Sequence, residues 1–262
     1  MSNANSPAYL EYCAHSVVGL VREHNEDALL SVPELGLWAV ADGMGGYQKG
    51  ELASALVLQS LESALRAGHS LEQAIQQANA WVLEQAQGHA DRVGMGSTVV
   101  AVVFQGYHYE LAWVGDSRAY ACDANGLRQL SRDHSWVQAM LDAGQLAPEQ
   151  ARSHPRRHVI TQCLGREAGP LDVGVYRGEL AAGESLLLCS DGLSAEVDDA
   201  ALAQLCQNRA PLESQVLQLI AAAEAAGGHD NISCVLIARP HAAPTEPAQR
   251  AWWLRWLPRG RG

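Results

Sequence analysis

The order of strand-like and helix-like stretches in these 262 residues predicts an α+β fold in which sheets lie sandwiched between helical layers. Three observations carry this reading. Short apolar runs, alternating or continuous, fall into groups of strand length. Two pairs of longer stretches with helical apolar spacing separate those groups. Several of the apolar runs end in, or start just after, an Asp beside Gly.

Residues 9–18 alternate, and residues 28–32 resume the strand pattern after the acidic segment 22–27. Pro33-Glu34-Leu35-Gly36 reads as a turn, and residues 37–42 as a buried strand. Residues 50–67 and 71–82 read as helices that present apolar stripes to a sheet. Ser70 is the expected N-cap of the second helix, and Gly68-His69 the break between the two. Strands return at 97–104 and 107–114 around Gln105-Gly106, then at 118–122 and 127–130 around a second turn. Residues 131–170 are rich in His and Arg, with helix starts at Ser131 and Pro148. Strands are expected at 171–177 and 184–190, helices at 200–207 and 211–226, and a last strand at 232–238.

Composition bounds the function. Hydrophobic residues make up 48%, enough for a large core and unlike a disordered chain. Net charge is −11; residues 241–262 carry +3, which leaves −14 on the rest. That balance excludes a general nucleic-acid binder. The six cysteines form no C-x-x-C pair, residues 1–8 are polar, and no apolar stretch approaches the roughly 20 residues of a membrane span. A reducing cytoplasm is the expected setting. Residues 251–261, Ala251-Trp252-Trp253-Leu254-Arg255-Trp256-Leu257-Pro258-Arg259-Gly260-Arg261, suit peripheral contact with an anionic membrane or a partner.

The acids follow a pattern. Leu37-Trp38-Ala39-Val40-Ala41-Asp42-Gly43 and Leu186-Leu187-Leu188-Cys189-Ser190-Asp191-Gly192 each end an apolar run in Asp-Gly. Asp116 follows another such run, Asp230 precedes one, and Glu26-Asp27 stand just after Arg22. Carboxylates converging from distant strand ends repel unless cations join them. Hard oxygen donors without Cys or His spacing favour Mg²⁺ or Mn²⁺ over zinc.

These segments occur in a recognisable order. Arg22-Glu23-His24-Asn25-Glu26-Asp27, Ala41-Asp42-Gly43-Met44-Gly45-Gly46, Gly96-Ser97-Thr98, Gly115-Asp116-Ser117-Arg118, Asp133-His134-Ser135, Ser190-Asp191-Gly192 and Gly228-His229-Asp230-Asn231 resemble the motifs of metal-dependent type 2C protein serine/threonine phosphatases, in particular the bacterial branch. The resemblance covers about residues 9–239, with 1–8 as an extension and 240–262 as a tail. It implies a four-layer α-β-β-α sandwich of two mainly antiparallel sheets flanked by helices. It also implies hydrolysis of phosphoserine and phosphothreonine by a metal-bridging water, reversing bacterial Ser/Thr kinase signalling. Two Mn²⁺ or Mg²⁺ ions form the implied core site, and bacterial members add a third-metal position.

Carried over by residue, Asp42 resembles the acid bridging two metals, with Asp191 and Asp230 as further ligands of the first. Gly43 offers its carbonyl to the second metal and Glu26 reaches it directly or through water. Asp27 resembles an acid acting on metal-bound water. Asp116 with Asp191 resembles the third-metal position, and Arg22 the phosphate-binding arginine, whose guanidinium can grip two oxygens. Asp133 and His134 are read as structural, and Asn231 as fixing the Asp230 turn. Met44 stands where many eukaryotic members carry a His proposed as general acid, which leaves His24, His134, His154, His158 and His229 as alternatives. Residues 141–165 correspond to the family's mobile flap, here cationic, with Arg152, Arg156 and Arg157. The implied partners are phosphoproteins and a cognate kinase. A competing reading, a catalytically silent phosphatase-like binding module, is disfavoured by the full set of acids.

Overall fold

A computed structural model describes residues 9–45, 48–87, 89, 92–166, 169–208 and 210–241. The extension 1–8, Gly46 of the glycine turn and the Trp/Arg stretch 251–261 lie outside the described residues.

The strands form two sheets. One has the order β1 (Glu11–Val17), β11 (Ile232–Ala238), β10 (Ser185–Cys189), β7 (Arg118–Asp123), β8 (Gly126–Gln129). The other runs β2 (Asp27–Val32), β3 (Leu37–Met44), β5 (Val99–Gln105), β6 (His108–Val114), β9 (Gly174–Glu179), with the short β4 (Gly96–Ser97) paired to β3. Every pairing between these strands is antiparallel.

Period-two alternation along the strands builds the layers. On β3, Leu37, Ala39 and Ala41 face α1 (Gln48–Arg66) and α2 (Leu71–Ala86), packing with Val57, Leu61, Ile75 and Val82. Trp38 and Val40 face the other way and meet Leu186, Leu188, Val235 and Ile237 of the opposite sheet. On the far side, Leu187, Cys189, Cys234 and Leu236 pack against Leu202 of α6 (Asp199–Cys206) and Val216, Leu219 and Ile220 of α7 (Leu212–Ala226). The result is helix, sheet, sheet, helix. Central strands are buried on both faces, which explains why their sequences read as continuous apolar runs. Each fully buried Leu or Val contributes about 1.5–3 kcal/mol.

The expected helix start holds: Ser70 caps α2, accepting from Gln73 N while Gln73 answers at Ser70 N. Three elements differ from expectation. The strand expected at 171–177 is β9, beginning at Gly174. Leu171 and Val173 instead pack on the α1–α2 side of the core. Among the described residues of 131–170, only α3 (Trp136–Asp142), capped by Ser135, and the single turn α4 (Pro148–Ala151) are helical. A one-turn helix, α5 (Asp191–Ser194), starts at Asp191. Among the described residues, no helix is long and apolar enough to cross a membrane. All six cysteines are free thiols.

Candidate active site

Antiparallel pairing brings the acids together. In the first sheet the end of β1, the start of β11, the end of β10 and the start of β7 share one edge: Val17 faces Ile232, and Cys189 faces both Cys234 and Arg118. The residues just past those ends, including Arg22, Asp230, Asp191 and Asp116, therefore gather there. In the second sheet, register sets Asp27 directly opposite Asp42.

Asp42, Asp116, Asp191 and Asp230 line one cavity of about 510 Å³, together with Met44, Thr98, Arg157, His158 and His229. Asp27 lies behind them, accepting from Ser190 Oγ at 2.8 Å. The Glu26 carboxyl reaches toward Gly50 at the start of α1, within 2.7 Å of where a Cβ there would stand. Arg22 sits at the edge, donating to Asp230 Oδ2 at 2.7 Å. Its ion-pair partner is thus Asp230, not its sequence neighbour Glu26.

Backbone contacts hold this geometry. Thr98 N donates to Asp42 O at 2.8 Å, Asp42 N to Thr98 Oγ1 at 3.1 Å, and Ser97 Oγ to Asp42 O at 3.0 Å. Asn231 does more than shape its own turn. Its side chain donates to Val18 O and His24 O and accepts from Glu26 N, all within 2.9 Å. It thereby staples the segment bearing Arg22 and Glu26 to the Asp230 turn. Gly43 is required by space: a Cβ there would stand 2.0 Å from Gly50 O and 2.6 Å from Glu26 O. Gly192 is the same case, with Asn231 O at 2.0 Å.

Arg118 grips Asp133 at 2.7–3.0 Å, and His134 exchanges hydrogen bonds with the Gly115 backbone. These contacts tie the start of β7 to the 133–134 segment. Of the candidate histidines, His158 and His229 line the cavity. His134 is bound to Gly115, and His154 stacks on Trp136 with ring centroids 4.7 Å apart. The cationic segment is divided too: Arg157 lines the cavity, whereas Arg156 lies over the Trp136 ring at 5.0 Å.

Burial, then mutual repulsion, sets the electrostatics. Burial pushes the Asp27 carboxyl up to about 7, with Asp191 and Asp230 adding to the rise against hydrogen bonds from Ser233 and Ser190. Burial and Asp191 push Asp116 up to about 8. Asp42 is raised well above the carboxylate range by burial and by Asp27, Asp191, Asp116 and Asp230. Glu26 is raised by burial, partly offset by Arg22. Among the described residues, no three His, Cys, Asp or Glu side chains form a ready-made metal cage. An all-oxygen donor set carrying excess negative charge in one cavity fits hard divalent cations.

Known proteins share this architecture. The sequence model of the family described as Protein phosphatase 2C matches residues 15–236. The serine/threonine protein phosphatase PstP of Mycobacterium tuberculosis is 38% identical over 234 residues, covering 87% of this chain. The chain spans only 44% of that relative's length. The serine/threonine phosphatase stp of Listeria innocua is 32% identical, with 84% of this chain and 92% of the relative covered. A solved structure of the PstP catalytic domain in complex with two manganese ions superposes with a TM-score of 0.78 at 33% identity, covering 87% of this chain and 97% of that one. The two antiparallel sheets, their flanking helices and the matched length agree: this chain belongs to the protein phosphatase 2C family.

Proposed function

We propose that the chain is a metal-dependent protein serine/threonine phosphatase that hydrolyses phosphoserine and phosphothreonine in proteins and opposes a cognate bacterial Ser/Thr kinase. The observation that carries this reading is the convergence of Asp42, Asp116, Asp191 and Asp230 on one cavity beside Arg22. Asp42, Asp191 and Asp230 would hold the first cation. Asp42, the Gly43 carbonyl and Glu26 would hold the second, with Asp27 behind them. Asp116 and Asp191 would hold a third. Mn²⁺ and Mg²⁺ both suit these oxygens. A pair of such ions supplies polarisation of the phosphoryl oxygens and an acidified water as nucleophile.

The chain's own groups do the rest. Arg22 is already aimed at the site through Asp230, so binding a phosphate exchanges one carboxylate partner for two phosphoryl oxygens. That fixes phosphorus for in-line attack and offsets charge in the transition state. The Thr98, Ser97 and Asn231 hydrogen bonds keep Asp42 and the 22–27 segment from shifting as charge changes. His158 and His229 line the cavity, His229 with its Nδ1 2.7 Å from Glu196 Oε1, and one of them would protonate the leaving oxygen, the role Met44 cannot fill. Residues 251–261 supply the chemistry for a peripheral contact with an anionic membrane or a protein surface.

The test is hydrolysis of p-nitrophenyl phosphate and of a phosphothreonine peptide with Mn²⁺, Mg²⁺ and chelator. Activity that requires the metal and vanishes with chelator is expected. Metal-bound protein inert toward both substrates establishes the silent binding module instead.

The position of Arg157 yields a second expectation. Arg157→Ala should raise KM for a phosphopeptide about tenfold while sparing p-nitrophenyl phosphate, since Arg157 lines the cavity but is none of the proposed cation ligands. Arg156→Ala, stacked on Trp136, should change KM much less. Equal losses on both substrates would show that Arg157 does not read the peptide.

A further inference from the structure

We propose that a cleft at the far end of the second sheet is the resting site of this chain's own segment 251–261. The inference stands apart from the phosphatase reading, since that cleft shares no lining residue with the carboxylate cavity. It encloses about 820 Å³ between the α1–α2 turn and the β5, β6 and β9 strands. That size falls in the roughly 300–1,000 Å³ range of pockets that bury organic ligands. Leu35, Leu65, Val103, Phe104 and Tyr109 give it apolar walls. Its rim is charged: Glu110 is paired with Arg177 at 2.6 Å, whereas the Glu179 side chain is 57% exposed.

The path of the chain beyond β11 selects the occupant. Arg239 Nη1 donates to Leu180 O at 2.8 Å, and its guanidinium lies 3.5 Å from the centre of the Tyr107 ring. Gly183 N donates to Arg239 O at 2.7 Å. Tyr107 stands between Gln105 and His108, and both line the cleft. Glu179 lines it as well and lies 3.8 Å from Arg239 Nη1. Residues 239–241 thus leave the fold beside the turn at Gly183, with the Arg239 side chain next to Glu179 of the rim.

Ten residues, 242–251, separate His241 from Trp252. Ten residues reach up to about 35 Å when extended, and about 17 Å as a flexible coil. Segment 251–261 carries Trp252, Trp253, Trp256 and Leu257, which suit apolar walls, and Arg255 and Arg259, for which the exposed Glu179 is the acid at the rim. Trp and Arg are the residues that dominate buried contact energies. Overall charge is complementary, +3 on residues 241–262 against −14 on the rest. Tethering gives an effective concentration on the order of 1 mM, so a contact of only about 0.1 mM affinity keeps the segment docked about nine-tenths of the time. Such a contact is also weak enough to release.

The experiment uses the full chain with photoreactive benzoyl-phenylalanine in place of Trp256, irradiated at two protein concentrations, with and without vesicles containing anionic lipid. Mass spectrometry is expected to find crosslinks within one molecule, independent of concentration, to residues 65–71 or 103–110. Crosslinks confined to other surfaces, or to a second molecule as concentration rises, or to lipid alone, would overturn the assignment. Glu179→Arg should lower the intramolecular yield at least threefold and leave metal-dependent hydrolysis unchanged. An unchanged yield in that variant also overturns it.

Discussion

Asp42→Asn should lower phosphatase turnover by roughly 10³-fold or more while raising the melting temperature of the metal-free protein. The two effects share a cause. Asp42 stands among Asp27, Asp191, Asp116 and Asp230, each of which disfavours its charge. Replacing the carboxylate with a neutral amide of the same shape removes that repulsion. The same change removes an anionic oxygen that would hold the proposed cations, and electrostatic elements of a site are commonly worth 10²–10³ in rate each. The fold should survive, because Asp42 is positioned through its backbone by Thr98 and Ser97 and not through its side chain. Turnover and thermal denaturation with chelator present, measured on one preparation, check both halves. A variant that loses activity and stability together would mark Asp42 as a structural carboxylate. One that keeps its activity would remove it from the site.

The layer order was legible in the sequence because it rests on local signals. Trp38 and Val40 alternate with Leu37, Ala39 and Ala41, and the two sets reach different cores. The acids were legible as a class because Asp-Gly after an apolar run is a short pattern. What holds the acids was not legible. The Asn231 side chain contacts residues more than 200 positions away, so nearby sequence reveals only the turn it occupies. Ser97 and Thr98 read as the start of a core strand, yet their hydroxyls serve Asp42 and, for Thr98, Ser117. A four-residue helix such as α5 has no periodicity to detect. The late start of β9 has a similar origin. Leu171 and Val173 look like strand residues because they are apolar, but they are apolar for packing against the α1–α2 side. Arg156 and Arg157 are chemically identical neighbours, and only the position of Trp136 separates their surroundings.

Raising pH should destabilise the metal-free protein, and Mn²⁺ should restore more stability at high pH than at low. Unfolded aspartates titrate near 3.9. In the fold, burial and neighbouring acids hold Asp27 at about 7 and Asp116 at about 8, with Asp42 raised as well. Between pH 4 and 8 the folded state therefore retains protons that the unfolded state has released. Stability is then fully present below the unfolded value and is lost as pH rises through the folded values. Ionising even one such group costs on the order of a few kcal/mol, against a total margin of about 5–15 kcal/mol. A cation that binds only the folded, ionised cluster contributes stability by mass action and expels those protons. The shift in melting temperature on adding saturating Mn²⁺ should grow from pH 5.5 to pH 8.5. Calorimetric binding enthalpies should vary with the ionisation enthalpy of the buffer, reporting proton release. In Asp42→Asn the metal-induced shift should shrink and its pH dependence flatten. A metal shift that is equal at both pH values, with no proton release, would mean that the ions bind away from these carboxylates.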